Sequence, residues 1–186
     1  ASPLAGGAAY AVSVKTQPAG QSCTLRNASG TMASANVSTV EVACATSMAS
    51  LPEGDWKQDL CAPLRPGVWG RNVWRITRQS ESRVAFSQTL AEYGDAQCAG
   101  TGTLLATAPT SLGTVVFDRS GANAALTAFW GLWNQPTGLA SRTVWARKGT
   151  YLCALGDASP SILPTPDSVE SAANLSIADK SCYTKL

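Results

Sequence analysis

The sequence predicts an all-β chain: a short β module followed by a β-barrel or β-sandwich domain, both stapled by disulfides. Three observations predict it. Strand-length runs recur along the chain with Gly, Asn, Asp or Pro between them. Six cysteines, an even number, are spread from Cys23 to Cys182 with no C-x-x-C pair. Charged residues make up 14 % of the 186 positions, well below the roughly 25 % usual in soluble domains. The composition shifts at a Thr/Ser/Met/Ala stretch after Cys44, so the expected division is 1–47 and 48–186.

The elements follow from local pattern. Residues 9–16 alternate, with Tyr10, Val12 and Val14 on one face and Ser13 and Lys15 on the other, and predict a half-buried strand. Gln17-Pro18-Ala19-Gly20 is turn chemistry. Residues 22–25 predict a second short strand, broken by Asn27-Ala28-Ser29-Gly30. Residues 37–44 predict a third, with Val40, Val42 and Cys44 facing one way. Residues 45–54, ending Leu51-Pro52-Glu53-Gly54, read as a linker.

The second part opens with a strand around Trp56 and Leu60 that ends at Cys61, then a loop at Pro63, Pro66 and Gly67. Residues 68–78 alternate Asn72, Trp74 and Ile76 against Arg71, Val73 and Arg75. Residues 82–92 continue with Val84, Phe86 and Leu90, and Tyr93-Gly94-Asp95 turns the chain. Further strands are expected over 101–107, 114–118, 124–133, 142–148 and 150–155. The tail from residue 158, with Pro160, Pro164 and Pro166, is expected to be irregular, with at most a helical turn near 168–173.

Histidine is absent. That removes Ser-His-Asp and Cys-His catalysis, His-ligated metals and the usual neutral-pH general base. Zinc would need four thiolates from widely separated cysteines, so no metal or cofactor is expected. Disulfides are the better reading and place the chain in an oxidising compartment. Six cysteines allow fifteen pairings. The sequential one, Cys23–Cys44, Cys61–Cys98 and Cys153–Cys182, is favoured because each pair falls inside one apparent unit.

A net charge of +2 gives no reason to expect a nucleic-acid partner. No apolar run reaches the length of a membrane span. Residues 1–7 lack a charged leader and an initiator Met, and read as a mature terminus left by signal-peptide removal. Glu53, Asp55, Asp59, Glu92 and Asp95 are the plausible acid/base groups, but turn and surface roles account for them. No enzyme activity is expected.

The stretch Tyr10-Ala-Val-Ser-Val-Lys-Thr-Gln-Pro-Ala-Gly-Gln-Ser-Cys23, with Asn27-Ala-Ser-Gly30 and the run from Ala35 to Cys44, resembles a short disulfide-closed immunoglobulin-like β module. Such modules occur as repeats in exported and surface proteins of Gram-negative bacteria. Tyr93-Gly-Asp-Ala-Gln-Cys98, Tyr151-Leu-Cys-Ala-Leu-Gly-Asp157 and the ending Cys182-Tyr-Thr-Lys185 are similar to small lipocalin-like β domains that follow these modules in bacterial lipoproteins. The resemblance implies export and a cell-surface or secreted location. It carries no ligand site and no chemistry.

A three-stranded first unit is too small to shield its own apolar face and edges. Its cover is expected to come either from the second domain of the same chain or from another chain, and strand addition is one way to supply it. The segment carrying Tyr10, Val12 and Val14 has the right character for strand addition. Head-to-tail contacts of that kind build an open filament. The leading expectation is therefore a structural or adhesive subunit that forms a homo-oligomer, with a glycan or other surface receptor as partner. The alternative is a secreted ligand-binding module, either lipocalin-like or carbohydrate-binding. For the latter, Trp69 and Trp74 interleaved with Arg71 and Arg75 form a candidate aromatic and basic surface.

Overall fold

The computed structural model describes residues 4–16, 21–33, 35–46, 49–105, 108–156 and 162–186. The turn expected at 17–20 and the first part of the expected irregular tail lie outside them. The chain divides into two compact units, Ala1–Ser47 and Met48–Leu186.

The first unit holds β1 (Ala9–Ala11), β2 (Gln21–Arg26), β3 (Ser29–Thr31) and β4 (Glu41–Thr46). They form two antiparallel two-stranded ribbons, β1 with β3 and β2 with β4. The strand expected over 9–16 is shorter than its alternation suggested. β1 pairs only from Ala9 to Ala11, because β3 offers three residues. One further bond, from the Val12 amide to the Ala28 carbonyl, ends the pairing. There Asn27, at φ 53°, turns the chain between β2 and β3. Cys23 and Cys44 are directly opposed in the β2–β4 ladder and joined by a disulfide. Cys23 is the one buried residue among the described side chains of this unit.

The second unit holds β5 (Gly54–Gln58), β6 (Ala62–Arg65), β7 (Val68–Arg78), β8 (Arg83–Tyr93), β9 (Thr103–Leu104), β10 (Thr110–Ala122), β11 (Thr127–Asn134), β12 (Ala140–Lys148), β13 (Tyr151–Gly156), α1 (Pro166–Ala178) and β14 (Tyr183–Lys185). Eight strands close an antiparallel barrel in the order β7-β5-β14-β13-β12-β11-β10-β8, and β8 pairs back onto β7. The barrel, not a sandwich, is the form taken. Closure removes the edges an open sheet would expose. β10 is longer than the expected 114–118, and a bulge beside Gly113 lets it bend while pairing with β8 and β11.

Period-two alternation decides what fills the barrel. Trp56, Trp74, Phe86, Phe117, Phe129, Trp145 and Tyr183 point inward with Val84, Val115 and Leu152. Trp74 stacks on Tyr183 at 4.0 Å between ring centroids, and Trp145 meets Phe86 edge-on at 5.3 Å. Burial holds the Tyr183 phenol protonated far above its ordinary range.

Outward residues of β11, β12 and β13, among them Ala128, Val144, Ala146 and Cys153, form a second core beneath α1. The helix contains the turn expected near 168–173 but runs from Pro166 to Ala178, where the prolines suggested an irregular tail. Thr165 caps it, Pro166 opens its first turn, and Asp167 favours that end of the dipole. Val169 and Ala173, four apart, are its buried stripe. The Cys153–Cys182 disulfide fastens the chain after the helix to β13. A third cluster of Val73, Ala91, Tyr93 and Cys98 lies outside β7 and β8, with the Cys61–Cys98 disulfide at its margin.

The expected linker is also different. Residues 49–53 cover one end of the barrel. Leu51 is 3 % exposed and belongs to the aromatic core, and Pro52 beside it is fully buried. The Ala49 amide donates to Ser120 Oγ at 3.0 Å, and Arg147 donates to the Ser50 carbonyl at 3.3 Å. A barrel packed with rings leaves those rings bare at its mouth, and an apolar pair across it removes that exposure. Leu51→Ala is expected to cost about 2 kcal/mol. The check is a lower urea midpoint with an unchanged slope.

Candidate functional site

The first unit presents edges. β2 and β4 pair only with each other, so the outer side of β4 has no ladder partner among the described residues. Its residues from Glu41 to Cys44 are exposed, and Val42 is 62 % exposed. Leu25 lies opposite Val42, and Arg26 opposite Glu41. The sequence reading missed these pairs. The Cys23–Cys44 pair fixes them, since in an antiparallel ladder each step forward on one strand is a step back on the other.

Tyr10, Val12 and Val14 are not a free strand-addition segment here. Tyr10 is paired opposite Gly30, and the Val12 amide is bound to Ala28. Val14 lies beyond the strand. The reason is that β3 offers the segment an edge within its own unit. The pairing is short, and both strands are largely exposed.

The expected aromatic and basic surface is split by the barrel wall. Trp74 is 9 % exposed and points inward, where its Nε1–H donates to Gln88 at 3.0 Å. Trp69 packs half-buried against the outer cluster. Arg71 and Arg75 also lie outside. Arg75 grips Asp55 with two bonds, of 2.8 and 3.0 Å, and Arg71 donates to the Gln97 carbonyl at 3.1 Å. Alternation along β7 forces this separation, so Trp74 is withdrawn from the candidate surface.

The carboxylates have structural partners. Asp55 is held below its ordinary range by its bond to Arg75, and Glu92 by its bonds to Arg65. Glu170 is lowered by Lys148 and then by Asn123. Asp95 accepts from the Gln97 and Ala99 amides and fixes the turn after β8. Asp59 accepts from the Thr184 hydroxyl at 3.1 Å. A general acid needs a raised pKa, and the shifts of Asp55, Glu92 and Glu170 run the other way. The described residues hold no group of three or more His, Cys, Asp or Glu placed to hold a metal. No described helix is long and apolar enough to cross a membrane.

The barrel interior is occupied by its own rings. A lipocalin-like apolar ligand would need the space that Trp74, Trp145 and Phe86 fill.

The chain matches no known family model, no curated protein and no solved structure.

Proposed function

We propose that the chain is a secreted or cell-surface structural protein without catalysis, an adhesive subunit whose immunoglobulin-like first unit joins copies head to tail. The observation that carries this reading is the contrast between the two units. The second closes its sheet and fills it with aromatic residues, whereas the first buries one described residue, Cys23. A unit of that size is marginal without further burial.

The route is exchange of β1. Three residues of pairing hold it to β3, so little is lost when β1 of one copy lays itself on β3 of the next. Swapping an element that already fits is a low-cost way to associate, and a head-to-tail contact that does not close grows a filament. The exposed outer side of β4 is a second place for strand addition. The lack of histidine and the carboxylates tied to arginine support a role without catalysis. Three disulfides support an oxidising, extracellular setting.

Light scattering tests the reading. The full chain is expected to gain mass with concentration, and a chain lacking residues 1–16 is expected to stay monomeric. A full chain that remains monomeric at high concentration overturns it.

A further inference from the structure

Residues 94–105 lie against the outer cluster of Val73, Ala91 and Tyr93, which Cys98 completes. Within this segment Cys98 alone is buried. Besides the Cys61–Cys98 disulfide, β9 pairs with β8 at two positions, the Leu105 amide donates to the Leu90 carbonyl at 2.9 Å, and Arg71 donates to the Gln97 carbonyl at 3.1 Å. A segment with so little buried apolar surface has low local stability, so the disulfide is its main fastening.

Two features oppose the closed position. The Tyr93 hydroxyl and the Arg71 Nε–H are both buried without a hydrogen-bond partner among the described residues. A buried polar group left unpaired is costly, and water would relieve it. The Arg71 guanidinium lies over the Tyr93 ring, 5.9 Å from its centroid, so the two groups share one place. Gly102 closes it from above, so near that a Cβ there would stand 2.5 Å from the ring. The second feature is Cys98, whose φ of 49° is a left-handed conformation unfavourable to a residue with a Cβ. Its bond to Cys61 keeps it there. The segment is latched shut rather than packed shut.

We propose that residues 94–105 are a strap that the Cys61–Cys98 disulfide latches and a dithiol releases. Cys61 is half-buried, whereas Cys153 and Cys182 are 1 % and 0 % exposed. An attacking thiolate therefore reaches the Cys61 sulfur first in this unit. A bond forms between the reductant and Cys61, the bond to Cys98 breaks, and Cys98 leaves as a thiolate that takes up a proton. The second thiol of the reductant then attacks the reductant sulfur of the mixed disulfide, and Cys61 leaves in the same way. The protein disulfide is reduced to two thiols, and the dithiol is oxidised to a disulfide. Release lets water reach Tyr93 and Arg71, and it frees the side of β8 at Ala91 and Glu92 that β9 occupied. The strap belongs wholly to the second unit, so the inference stands apart from assembly.

The test is limited reduction of the full chain with dithiothreitol. Amide exchange is followed in the reduced chain, and a portion quenched with iodoacetamide is mapped by mass spectrometry. Cys61 and Cys98 are expected to be alkylated before Cys153 and Cys182. The Cys98 and Leu105 amides are then expected to exchange about tenfold faster, while those of β11 and β12 keep their rates. Tyr93→Phe removes the unpaired hydroxyl and keeps the ring, and is expected to slow the strap's exchange in the reduced chain about tenfold. Earlier alkylation of Cys153 and Cys182 overturns the proposal. So do strap amides that stay protected after reduction, exchange that quickens equally in every strand, or a Tyr93→Phe strap that exchanges as fast as the unaltered one.

Discussion

Replacing Trp145 with alanine is expected to destabilise the barrel by about 3–5 kcal/mol, a large share of a small domain's stability. Trp145 is 2 % exposed on β12. Its ring lies 5.3 Å from Phe86, 5.5 Å from Phe117 and 5.9 Å from Trp74, centroid to centroid. Those neighbours stand on β8, β10 and β7, and β7 lies across the barrel from β12, so the indole spans the interior. A β-barrel cannot collapse onto the void without breaking ladder bonds, which puts the cost toward the upper end. Urea unfolding followed by near-ultraviolet circular dichroism checks it. A loss under about 1 kcal/mol would mean the rings repack around the gap.

The second large effect is expected from removing the Cys153–Cys182 disulfide. The half-cystines are 29 residues apart in sequence and both are buried. The entropy of closing such a loop gives about 3–4 kcal/mol. Cys153→Ala with Cys182→Ala releases α1 and β14 together, because the chain between the cysteines contains the helix and Tyr183 begins the strand. β14 pairs with β13 at two positions and with β5 at three. Hydrogen exchange is expected to show those amides opening before β7 and β8. Uniform opening of all strands would show that the disulfide stabilises the barrel as one unit.

Much of the barrel was legible because its strands alternate. β7 and β8 are long and alternate, so Trp74 and Phe86 could be separated from Arg75 and Ser87 by parity alone, although Val73, Ala91 and Tyr93 share the outward side. Trp74 as part of a surface conflicted with that parity, and the inward reading is the one the barrel takes. The helix was hidden by its neighbours: three prolines read as breakers, although Thr165-Pro166-Asp167-Ser168 is itself a helix start. The ion pair of Asp55 and Arg75 joins directly opposed residues of β5 and β7. It could not be seen before the register was known. Leu51-Pro52 reads as a connector until closure creates a mouth for it to cover.

That stopper has a mechanical consequence. The chain leaves β4 at Thr46 and is anchored again at Ala49. Tension on the first unit therefore reaches the barrel through the residues that seal it. The earliest bonds to part under load would be those from Ala49 to Ser120 and from Arg147 to Ser50. A chain hauled from its amino-terminal side would be uncorked before any of its staves came loose.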